Sequence, residues 1–405
     1  MSGMTLSIAI AAFSLFWVEL VRDCYHALSH VWQPLYRLHV WHHKVFRRDL
    51  SVVSEAVYKK AHWYNDVPEA LVMLAFSFAP WVIASVYGLN RSWLASLGVV
   101  YTLMFLTGAI ARGIGVPGVD ELTDLTHRQG KFQTSPAPWM VNRPYHWRHH
   151  FDNQNAYFSG TLTVVDKLMG TALSLKGKKI AVTGASGTLG KALLKQLYLS
   201  GAKVTALTSS GQELALDIEG KTIPIKTIPW QIEQETELLI TLEKIDILIL
   251  NHGINLGGSR TEEAISKSYS VNAFSVLRLM DLFFKTVRTN EQIATKEVWI
   301  NTSEAEANPA FSPLYELSKR TLGDLVTLRR LDAPCVVRKL VLGPFKSKLN
   351  PIGIMSADWV AKQIVNLAKR DLRNIIVTIN PLTFIAFPLK EASNSLYFKL
   401  FSKGS

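Results

Sequence analysis

The sequence predicts two domains of different fold class: an α-helical membrane domain with a histidine-rich metal site, followed by a doubly wound α/β (Rossmann-like) domain. Three observations lead to this prediction. The first half of the 405-residue chain contains three long apolar stretches. Ten of the eleven histidines lie within the first 150 residues. From Lys178 onward, short β-branched runs alternate with helical stretches, a pattern typical of a parallel sheet covered by helices.

The three apolar stretches, residues 5–21, 70–87 and 93–111, approach the length of a membrane-spanning helix. Such a helix needs about 20 apolar residues, with roughly 17 as the lower limit. Buried core helices of a soluble domain are the alternative. The turn GLNRS joins the second and third stretches into a helical hairpin. Because the N-terminus lacks a basic region and a small-residue cleavage site, we expect a retained membrane helix rather than a signal peptide.

Flanking charge predicts how the membrane domain is oriented. One set of helix ends carries seven cations, whereas the hairpin turn contributes only Arg91. The seven are Arg22, Arg37, Arg47, Arg48, Lys59, Lys60 and Arg112. Since positive charge favours the cytoplasmic side, we expect a multi-pass integral membrane protein whose clustered histidines and C-terminal domain lie in the cytoplasm.

Composition excludes several other classes of protein. The formal net charge is +12, but the cations are scattered and no basic block is present. This distribution disfavours nucleic-acid binding and suits an anionic membrane surface. The two cysteines, Cys24 and Cys335, lie in different halves of the chain, which excludes a disulfide framework or a cysteine metal site and predicts a reducing compartment.

The histidines of the first half form four groups with helical spacing. They occur in HALSH, HVWHH, LTHRQG and HWRHH, as His26, His30, His39, His42, His43, His127, His146, His149 and His150. Spacings of three and four place side chains on one helix face, so each cluster is expected to aim its imidazoles at a common point. Neutral imidazole binds iron and zinc well, and nine exceed the need of one ion. We predict two metal ions, with His62 either an auxiliary ligand or an ordinary side chain.

This order of motifs resembles the fatty acid hydroxylase / sterol desaturase superfamily of membrane histidine-box enzymes, over roughly residues 5–170. The resemblance implies a dinuclear centre held by the nine histidines, with two iron ions (zinc is the alternative), and oxygen-dependent hydroxylation or desaturation of a lipid. It also implies an external electron donor. One departure concerns the LTHRQG region. Many members carry a second ligand four residues before His127, where this chain has Thr123, and Asp124 or Asp120 is the candidate substitute.

The second domain opens with a glycine-rich loop. In KIAVTGASGTLGK a buried strand runs into a helix through Gly184, Gly187 and Gly190. Glycines at such a junction allow the backbone to approach a pyrophosphate, which then lies at the helix N-terminus. The position of this motif between a strand and a helix predicts a dinucleotide site.

Further motifs of the second domain resemble the short-chain dehydrogenase/reductase family, over about residues 178–380. They are Asn251 and Gly253 in ILNHG, Asn272 in YSVNAFS, and Tyr315 and Lys319 in YELSK. The resemblance implies that Asn251 and Gly253 line the cofactor site, that Tyr315 is the general acid/base and that Lys319 lowers its pKa and holds the nicotinamide ribose. Asn272 would order a proton-relay water. A cation beside a tyrosine favours the phenolate.

Two departures from that family affect the expected chemistry. The family's serine is matched by Ser303, twelve residues before Tyr315, and Glu304 follows where a second serine is usual. SEAEA thereby places two carboxylates near the substrate. After the second strand, ALTSSG offers no acidic residue for a ribose hydroxyl, but hydroxyls that suit a 2′-phosphate, which favours NADP(H) over NAD(H). These hydroxyls belong to Thr208, Ser209 and Ser210.

The predicted domains are residues 1–175, 176–380 and a C-terminal tail, 381–405. The tail is apolar with interspersed lysines, and it fits either a membrane-docking segment or a final strand and helix covering the sheet. The whole arrangement resembles the bifunctional sterol desaturase/short-chain dehydrogenase proteins of cyanobacteria and, more distantly, plant wax-biosynthesis proteins.

This resemblance implies a membrane-bound lipid oxidoreductase that couples lipid oxidation to alcohol/carbonyl interconversion with NAD(P)H. Two alternatives remain open: a lipid hydroxylase whose second domain only binds NADP(H) as sensor or scaffold, and aldehyde-to-hydrocarbon processing. The sequence does not determine the substrate or the oligomeric state.

Overall fold

The computed structural model describes residues 3–403, which form two compact units. The first unit ends at Ala172 and the second begins at Leu173, close to the boundary expected after residue 175. The named helices lie in both units, whereas all eight named strands lie in the second. The α/β class predicted for the second half is confirmed.

Five helices build the scaffold of the first unit. They are α1 (Gly3–Val31), α2 (Gln33–Lys44), α3 (Glu55–Ala61), α4 (Val67–Val86) and α5 (Leu97–Ile114). A π-helical turn, His62–Asp66, joins α3 to α4. Among the described residues, three helical segments are long and apolar enough to cross a membrane, by length and composition: Met4–Val31, Glu55–Val86 and Ser92–Ile114. They exceed the predicted stretches because the helices continue into polar residues at their ends.

Three short helices complete the first unit: α6 (Val119–Thr123), α7 (Arg143–Phe151) and α8 (Val164–Met169). The start of α7 follows from its sequence. The Asn142 side chain accepts a hydrogen bond from the Tyr145 amide, and proline occupies the first turn, where its missing N–H costs nothing. Residues 144–150 of α7 are all buried, so the second HxxHH motif is held rigidly.

The second unit is built on one eight-stranded sheet in the order β3-β4-β2-β1-β5-β6-β7-β8. The strands are β1 (Lys179–Thr183), β2 (Lys203–Thr208), β3 (Leu214–Ile218), β4 (Lys221–Pro229), β5 (Ile247–Leu250), β6 (Glu297–Asn301), β7 (Val336–Leu342) and β8 (Asn374–Val377). All neighbours pair in parallel except β3 with β4. Six of these strands contain the β-branched runs KIAVT, KVTALT, TIPIKTI, ILIL, EVWIN and VVRKLVL. The edge strands β3 and β8, which are short and only partly buried, were not predicted. The order reverses at β1, where such sheets bind ligands.

Eight helices belong to the second unit: α9 (Thr188–Leu199), α10 (Leu239–Glu243), α11 (Glu262–Tyr269), α12 (Ser275–Phe284), α13 (Asn290–Thr295), α14 (Pro313–Arg329), α15 (Ala357–Lys369) and α16 (Thr383–Phe401). Two apolar cores lie on the two faces of the sheet. One contains buried residues of α9 and α15, such as Leu193 and Val360. The other contains residues of α12 and α14, such as Phe283 and Leu322. Helices on both faces make the sheet doubly wound.

A fully buried ion cluster lies under the sheet between β6 and β7. The Arg338 guanidinium donates to both carboxylate oxygens of Glu297, at 2.8 and 2.9 Å, and to Asp371 at 2.7 Å. All three side chains are shielded from solvent. Charges so buried remain stable only while they are paired, and this cluster links β6 to β7 and to the turn before β8.

The C-terminal tail contains one long helix, α16. Phe387 and Glu391 on one side of α16 are buried, and Glu391 accepts hydrogen bonds from Lys339 and Thr327. Several large apolar residues on α16 stay exposed, among them Leu389 and Leu400. The helix therefore anchors one face on the second unit and leaves an apolar face uncovered.

Candidate functional site

The nine predicted metal ligands are brought close together in the first unit. One group consists of His26, His30, His39 and His149, and the candidate ligand atoms within it lie within 4.8 Å of one another. The residues come from α1, α2 and α7. The Nε2 atoms of His26 and His149 lie 3.0 Å apart. Four imidazole nitrogens that converge in this way suit a first-row transition metal.

A second group with the same 4.8 Å limit consists of His42, His127, His146 and His150. His127, in a 3-10 turn after α6, places its Nε2 atom 2.9 Å from that of His146 and 3.1 Å from that of His150. The ninth histidine, His43, lies between the groups. Its Nε2 is 3.0 Å from that of His39, and its ring centre is 5.0 Å from that of His150.

Each HxxHH motif is thus divided between the two groups, which differs from the expected common point. His39 of α2 belongs to the first group and His42 to the second; likewise His149 and His146 of α7 separate. Residues three apart on a helix differ by about 60° in direction and by about 4.5 Å along the axis. Two helices that both carry the motif can therefore serve two centres side by side.

Hydrogen bonds at the Nδ1 atoms orient several of the imidazole rings. The Nδ1 atom of His39 is bonded to the Asn65 side-chain oxygen at 2.7 Å, and that of His127 to Asp124 at 2.5 Å. The Nδ1 atoms of His26 and His149 face the backbone carbonyls of Phe158 and Ala156. Such partners hold Nδ1 as the donor and leave Nε2 free to bind a metal.

Burial also keeps the imidazoles neutral, which is the form that binds metals. Burial and then the neighbouring imidazoles lower the pKa values of His42, His146 and His150 well below the usual value. The donor set, the neutral rings and the bonds at Nδ1 therefore fit two metal ions of the zinc or iron class. This fit is judged from the positions and protonation of the protein side chains.

His62 and Thr123 lie beside the histidine groups without joining them. The Nδ1 atom of His62 pairs with Asp66 at 2.5 Å, and its buried Nε2 has no partner. The Thr123 hydroxyl accepts a hydrogen bond from Arg112. Asp124 orients His127, so its carboxylate acts behind the imidazole, and Asp120 belongs to neither group. His127 is grouped with three other imidazoles, those of His42, His146 and His150, although position 123 offers no ligand.

In the second unit, the three glycines of the loop have distinct roles. Gly184 has a φ of +61°, and a Cβ there would lie 2.9 Å from the His252 backbone. A Cβ on Gly190 would lie 2.2 Å from the Gly184 carbonyl, so α9 packs directly on the loop. Gly187 precedes α9 and lines the large cavity, and no side chain caps the helix there. The uncapped amides of α9 suit a pyrophosphate.

The adjoining cavity, of about 1020 Å³, contains most of the other predicted cofactor residues. Thr208 and Ser209 line it at the end of β2, and the buried Thr208 hydroxyl has no partner. Asn251 accepts a hydrogen bond from Asn301 at 3.1 Å. Gly253 faces the Asn272 side chain, which a Cβ would approach to 3.1 Å. Ser210 is not among the residues that line the cavity.

Three of the four predicted catalytic residues, Tyr315, Lys319 and Ser303, line this cavity, whereas Asn272 is fully buried. Tyr315 and Lys319 lie one turn apart on α14, with the Lys319 Nζ 5.8 Å from the centre of the tyrosine ring. Lys319 donates to the Asn301 carbonyl at 2.8 Å. Ser303 lines the same cavity as Tyr315, and its hydroxyl accepts a hydrogen bond from the Ala305 amide at 3.3 Å. Asn272 lies in a π-helical turn, Ser270–Phe274, and exchanges two hydrogen bonds with the Ile254 backbone.

The pKa values of Tyr315 and Lys319 are shifted in opposite directions. Burial raises the pKa of Tyr315, and the nearby Ser303 hydroxyl partly offsets this. Burial lowers the pKa of Lys319 to about 8, despite the nearby Glu306 carboxylate. Displaced pKa values of two neighbouring groups in a cavity are typical of acid–base sites. The backbone of Ser303 adopts a φ of +69°, an uncommon conformation that also marks functional positions.

The two carboxylates of SEAEA have different surroundings. Glu304 lines the cavity, and one of its oxygens accepts hydrogen bonds from Thr378 and Thr383. Glu306 is buried and ion-paired with Lys339 at 2.7 Å. Only Glu304 is therefore placed to meet a substrate.

Sequence reasoning did not select His252 as a site residue. Its ring is buried between the hydroxyls of Thr183 and Ser275, at 2.8 and 2.9 Å, and it lines the cavity. Burial and then the charge of Lys319 lower the pKa of His252 to about 3, so the ring is neutral. The sequence feature that could have identified His252 is its position inside the ILNHG motif, between Asn251 and Gly253.

Comparisons with known proteins agree with this geometry. Residues 178–334 match the short chain dehydrogenase family, which confirms that assignment for the second unit. Over 404 residues the chain is 66% identical to the monoglucosyldiacylglycerol epimerase of Synechocystis sp., covering 99% of this chain and 98% of that protein.

Two solved structures are similar to part of the chain. One is a short-chain dehydrogenase from Burkholderia cenocepacia in complex with NADP, with a TM-score of 0.45, 20% identity, and coverage of 57% of this chain and 100% of that chain. The other is a short-chain dehydrogenase from Sphingobium yanoikuyae in complex with NADPH, with a TM-score of 0.45, 16% identity, and coverage of 56% and 98%.

Proposed function

This chain belongs to the same family as the Synechocystis monoglucosyldiacylglycerol epimerase, and on that premise we propose that it is a membrane enzyme that epimerises a glucosyl lipid. The reaction site is the cavity of the second unit. Inversion of a carbinol carbon requires that its hydride and hydroxyl proton are removed and that the hydride returns to the opposite face. The net reaction is redox-neutral, which agrees with an alcohol/carbonyl interconversion at Tyr315.

The observation that carries this proposal is the meeting of Tyr315, Lys319 and Ser303 in one cavity. Tyr315 accepts the proton of the substrate hydroxyl and later returns it. Lys319 favours the phenolate through its charge, and Ser303 holds the substrate oxygen. The cavity of about 1020 Å³ leaves room for the sugar ring to turn between the two half-reactions.

We favour NADP(H) as the cofactor, held by the glycine loop, Thr208, Asn251 and Gly253. When bound, it supplies a hydride acceptor and donor. The free Thr208 hydroxyl and the neighbouring Ser209 suit a 2′-phosphate, and β2 ends without an acidic residue that would select NAD(H).

The test is a glucosyl diacylglycerol deuterated at the inverted carbon, given to purified protein with NADP(H). We expect the product to retain deuterium, with no net consumption of cofactor. Tyr315→Phe should lower the rate by about 10²–10⁴-fold, whereas Tyr198→Phe should not, because Tyr198 lies in the last turn of α9 and does not line the cavity. Stoichiometric conversion of the cofactor would show a net dehydrogenase instead, and cofactor binding without turnover would favour a sensor or scaffold.

We place the enzyme in a membrane with the first unit spanning it. At most a third of the residues in the most apolar windows of its three long helices are buried, so these helices offer an uncovered apolar surface. The flanking cations favour a cytoplasmic location for the histidines and the second unit.

A second candidate activity is supported by the two four-histidine groups. We propose that they hold two metal ions, with iron favoured over zinc, within reach of a lipid chain. Such a pair, when bound, would supply oxygen-dependent oxidation of a C–H bond with electrons from an external donor. The protein's part is to present neutral Nε2 atoms and to fix them through Asn65 and Asp124.

Serial oxidation of one lipid by both units is a hypothesis. Its test is growth under ¹⁸O₂ and lipid analysis of a deletion strain against the wild type. Lipids that lack ¹⁸O and carry no altered unsaturation would exclude hydroxylation and desaturation, and hydrocarbon in the headspace would indicate aldehyde processing. If all three are absent, the histidine centre has a structural role.

A further inference from the structure

The mouth of the cavity in the second unit is surrounded by uncovered apolar side chains. Phe311 is fully exposed, and Ile352 and Ile354 are 89% and 73% exposed, yet all three line the cavity. Leu349 lines it as well and is half exposed. We call these four residues the apolar rim. Large apolar side chains that are gathered at a site opening mark an interaction surface.

The apolar rim continues into the start of α16. Thr383, the first residue of α16, donates to Glu304 at 3.0 Å and accepts a hydrogen bond from Asn308 at 2.9 Å. Asn308 lies three residues before Phe311, so the loop that carries this rim residue is bonded to the helix. Three exposed side chains of this helix start extend the surface: Leu382, Phe384 and Ile385.

Exposed charge in two segments of this surface, residues 343–356 and 379–403, is of one sign. In residues 343–356 and 379–403 the sequence contains a single acidic residue, Glu391, and it is buried in ion pairs with Lys339 and Arg330. The exposed charges of these segments are cationic and belong to Lys346, Lys348, Lys399 and Lys403. Apolar side chains flanked by lysines complement a bilayer that contains anionic lipids.

We propose that the apolar rim and the start of α16 dock on the surface of an anionic lipid bilayer, so that the cavity opens at headgroup level. A lipid-linked sugar can then reach Tyr315 while its acyl chains stay in the membrane. The proposal rests on the proposed function for its lipid substrate. The same chain carries three helices of spanning length, so the second unit is tethered near a bilayer.

The test uses the full chain in nanodiscs of phosphatidylcholine and phosphatidylglycerol. A spin label is attached at Ile352→Cys in a Cys24→Ser background, because the other native cysteine, Cys335, is buried. The control label is at Ile240→Cys, which is 71% exposed on α10 before the amino end of β5. We expect the label at 352 to be relaxed more by oxygen than by a water-soluble nickel complex, and the control label to show the reverse.

Equal behaviour of the two labels would overturn the proposal. Protection of the label at 352 from both reagents would also overturn it, since a second protein copy would then cover the rim. A substitution test is independent of the label. Phe384→Ser combined with Ile385→Ser should raise the KM for long-chain lipid in nanodiscs by about tenfold or more.

The same variant should turn over a water-soluble short-chain glucosyl glyceride within about twofold of the wild type. That substrate separates the two hypotheses. If the wild type turns over the short-chain substrate and the substitutions have no effect in nanodiscs, the docking proposal is refuted and the proposed function stands. No activity on either lipid refutes the proposed function, while the spin-label result still decides docking.

Discussion

The glycine loop allows a sharp test because Gly187 and Gly190 should fail in different ways when changed to alanine. A Cβ at Gly190 would meet backbone atoms at 2.2 and 2.7 Å, so the loop or α9 must move by about 1 Å to reach normal contact. Overpacking of this kind costs about 1–3 kcal/mol. For a unit of this size, about 2 kcal/mol lowers the melting temperature by roughly 4–8 °C.

Gly187→Ala should leave stability nearly unchanged. Gly187 has an ordinary φ of −71°, and its Cβ would meet only the Gly184 carbonyl, at 3.2 Å. The new methyl group would instead occupy the space where a pyrophosphate approaches α9. We expect the affinity for NADPH to fall by about tenfold or more, a loss of about 1.4 kcal/mol.

The assays are thermal melting of the purified full chain and titration of NADPH fluorescence. Gly258→Ala is the matched control, since a Cβ there would meet nothing within 4 Å, and neither property should change. If Gly190→Ala melts like the wild type, the close packing of α9 on the loop is wrong. If Gly187→Ala keeps full affinity, the loop does not bind the pyrophosphate.

Three further predictions concern Lys319, the histidine groups and Arg338. Because the folded-state pKa of Lys319 is about 8 and the unfolded value about 10.4, the folded state gains stability as pH rises through that window. Lys319→Met should thus be inactive yet melt higher than the wild type near pH 7, by an amount that shrinks toward about pH 10; a constant difference would contradict this. His150→Ala should lose about half of the bound metal by elemental analysis and His252→Ala none, and equal metal content in both would exclude a site at His150. Arg338→Met leaves Glu297 buried without its cation and should lower the free energy of unfolding by about 3–5 kcal/mol in chemical denaturation, whereas a change below about 1 kcal/mol would show that the cluster is hydrated.

The candidate catalytic residues of the second unit could be proposed from sequence because their spacing encodes their geometry. Tyr315 and Lys319 are one helical turn apart, and the glycines must follow the first strand if α9 is to pack on it. Thr208 could be named because it ends a strand whose carboxyl end lines the cavity. In contrast, the separation of Glu304 from Glu306 depended on which partners the fold offers each carboxylate, and these come from residues 339, 378 and 383.

For the histidine motifs, too, spacing predicted which residues take part, whereas their grouping depended on the fold. Spacing alone predicted that His39, His42, His146 and His149 would serve a metal site. It did not predict that each motif contributes to two groups, because the direction of a side chain is defined only when another helix faces it. His43 illustrates this point, since its place between the groups follows from the crossing of α1, α2 and α7.

By itself the sequence determined the two fold classes, the strand-to-helix loop and the residue types of both sites, since periodicity and local spacing are properties of a continuous chain. Only the tertiary structure decided which histidines share a group and which carboxylate faces the cavity. It also brought Phe311 and Ile352, from two separate segments, to the lining of one cavity. The physical reason is that long-range contacts depend on how distant segments pack, and no local pattern records that packing.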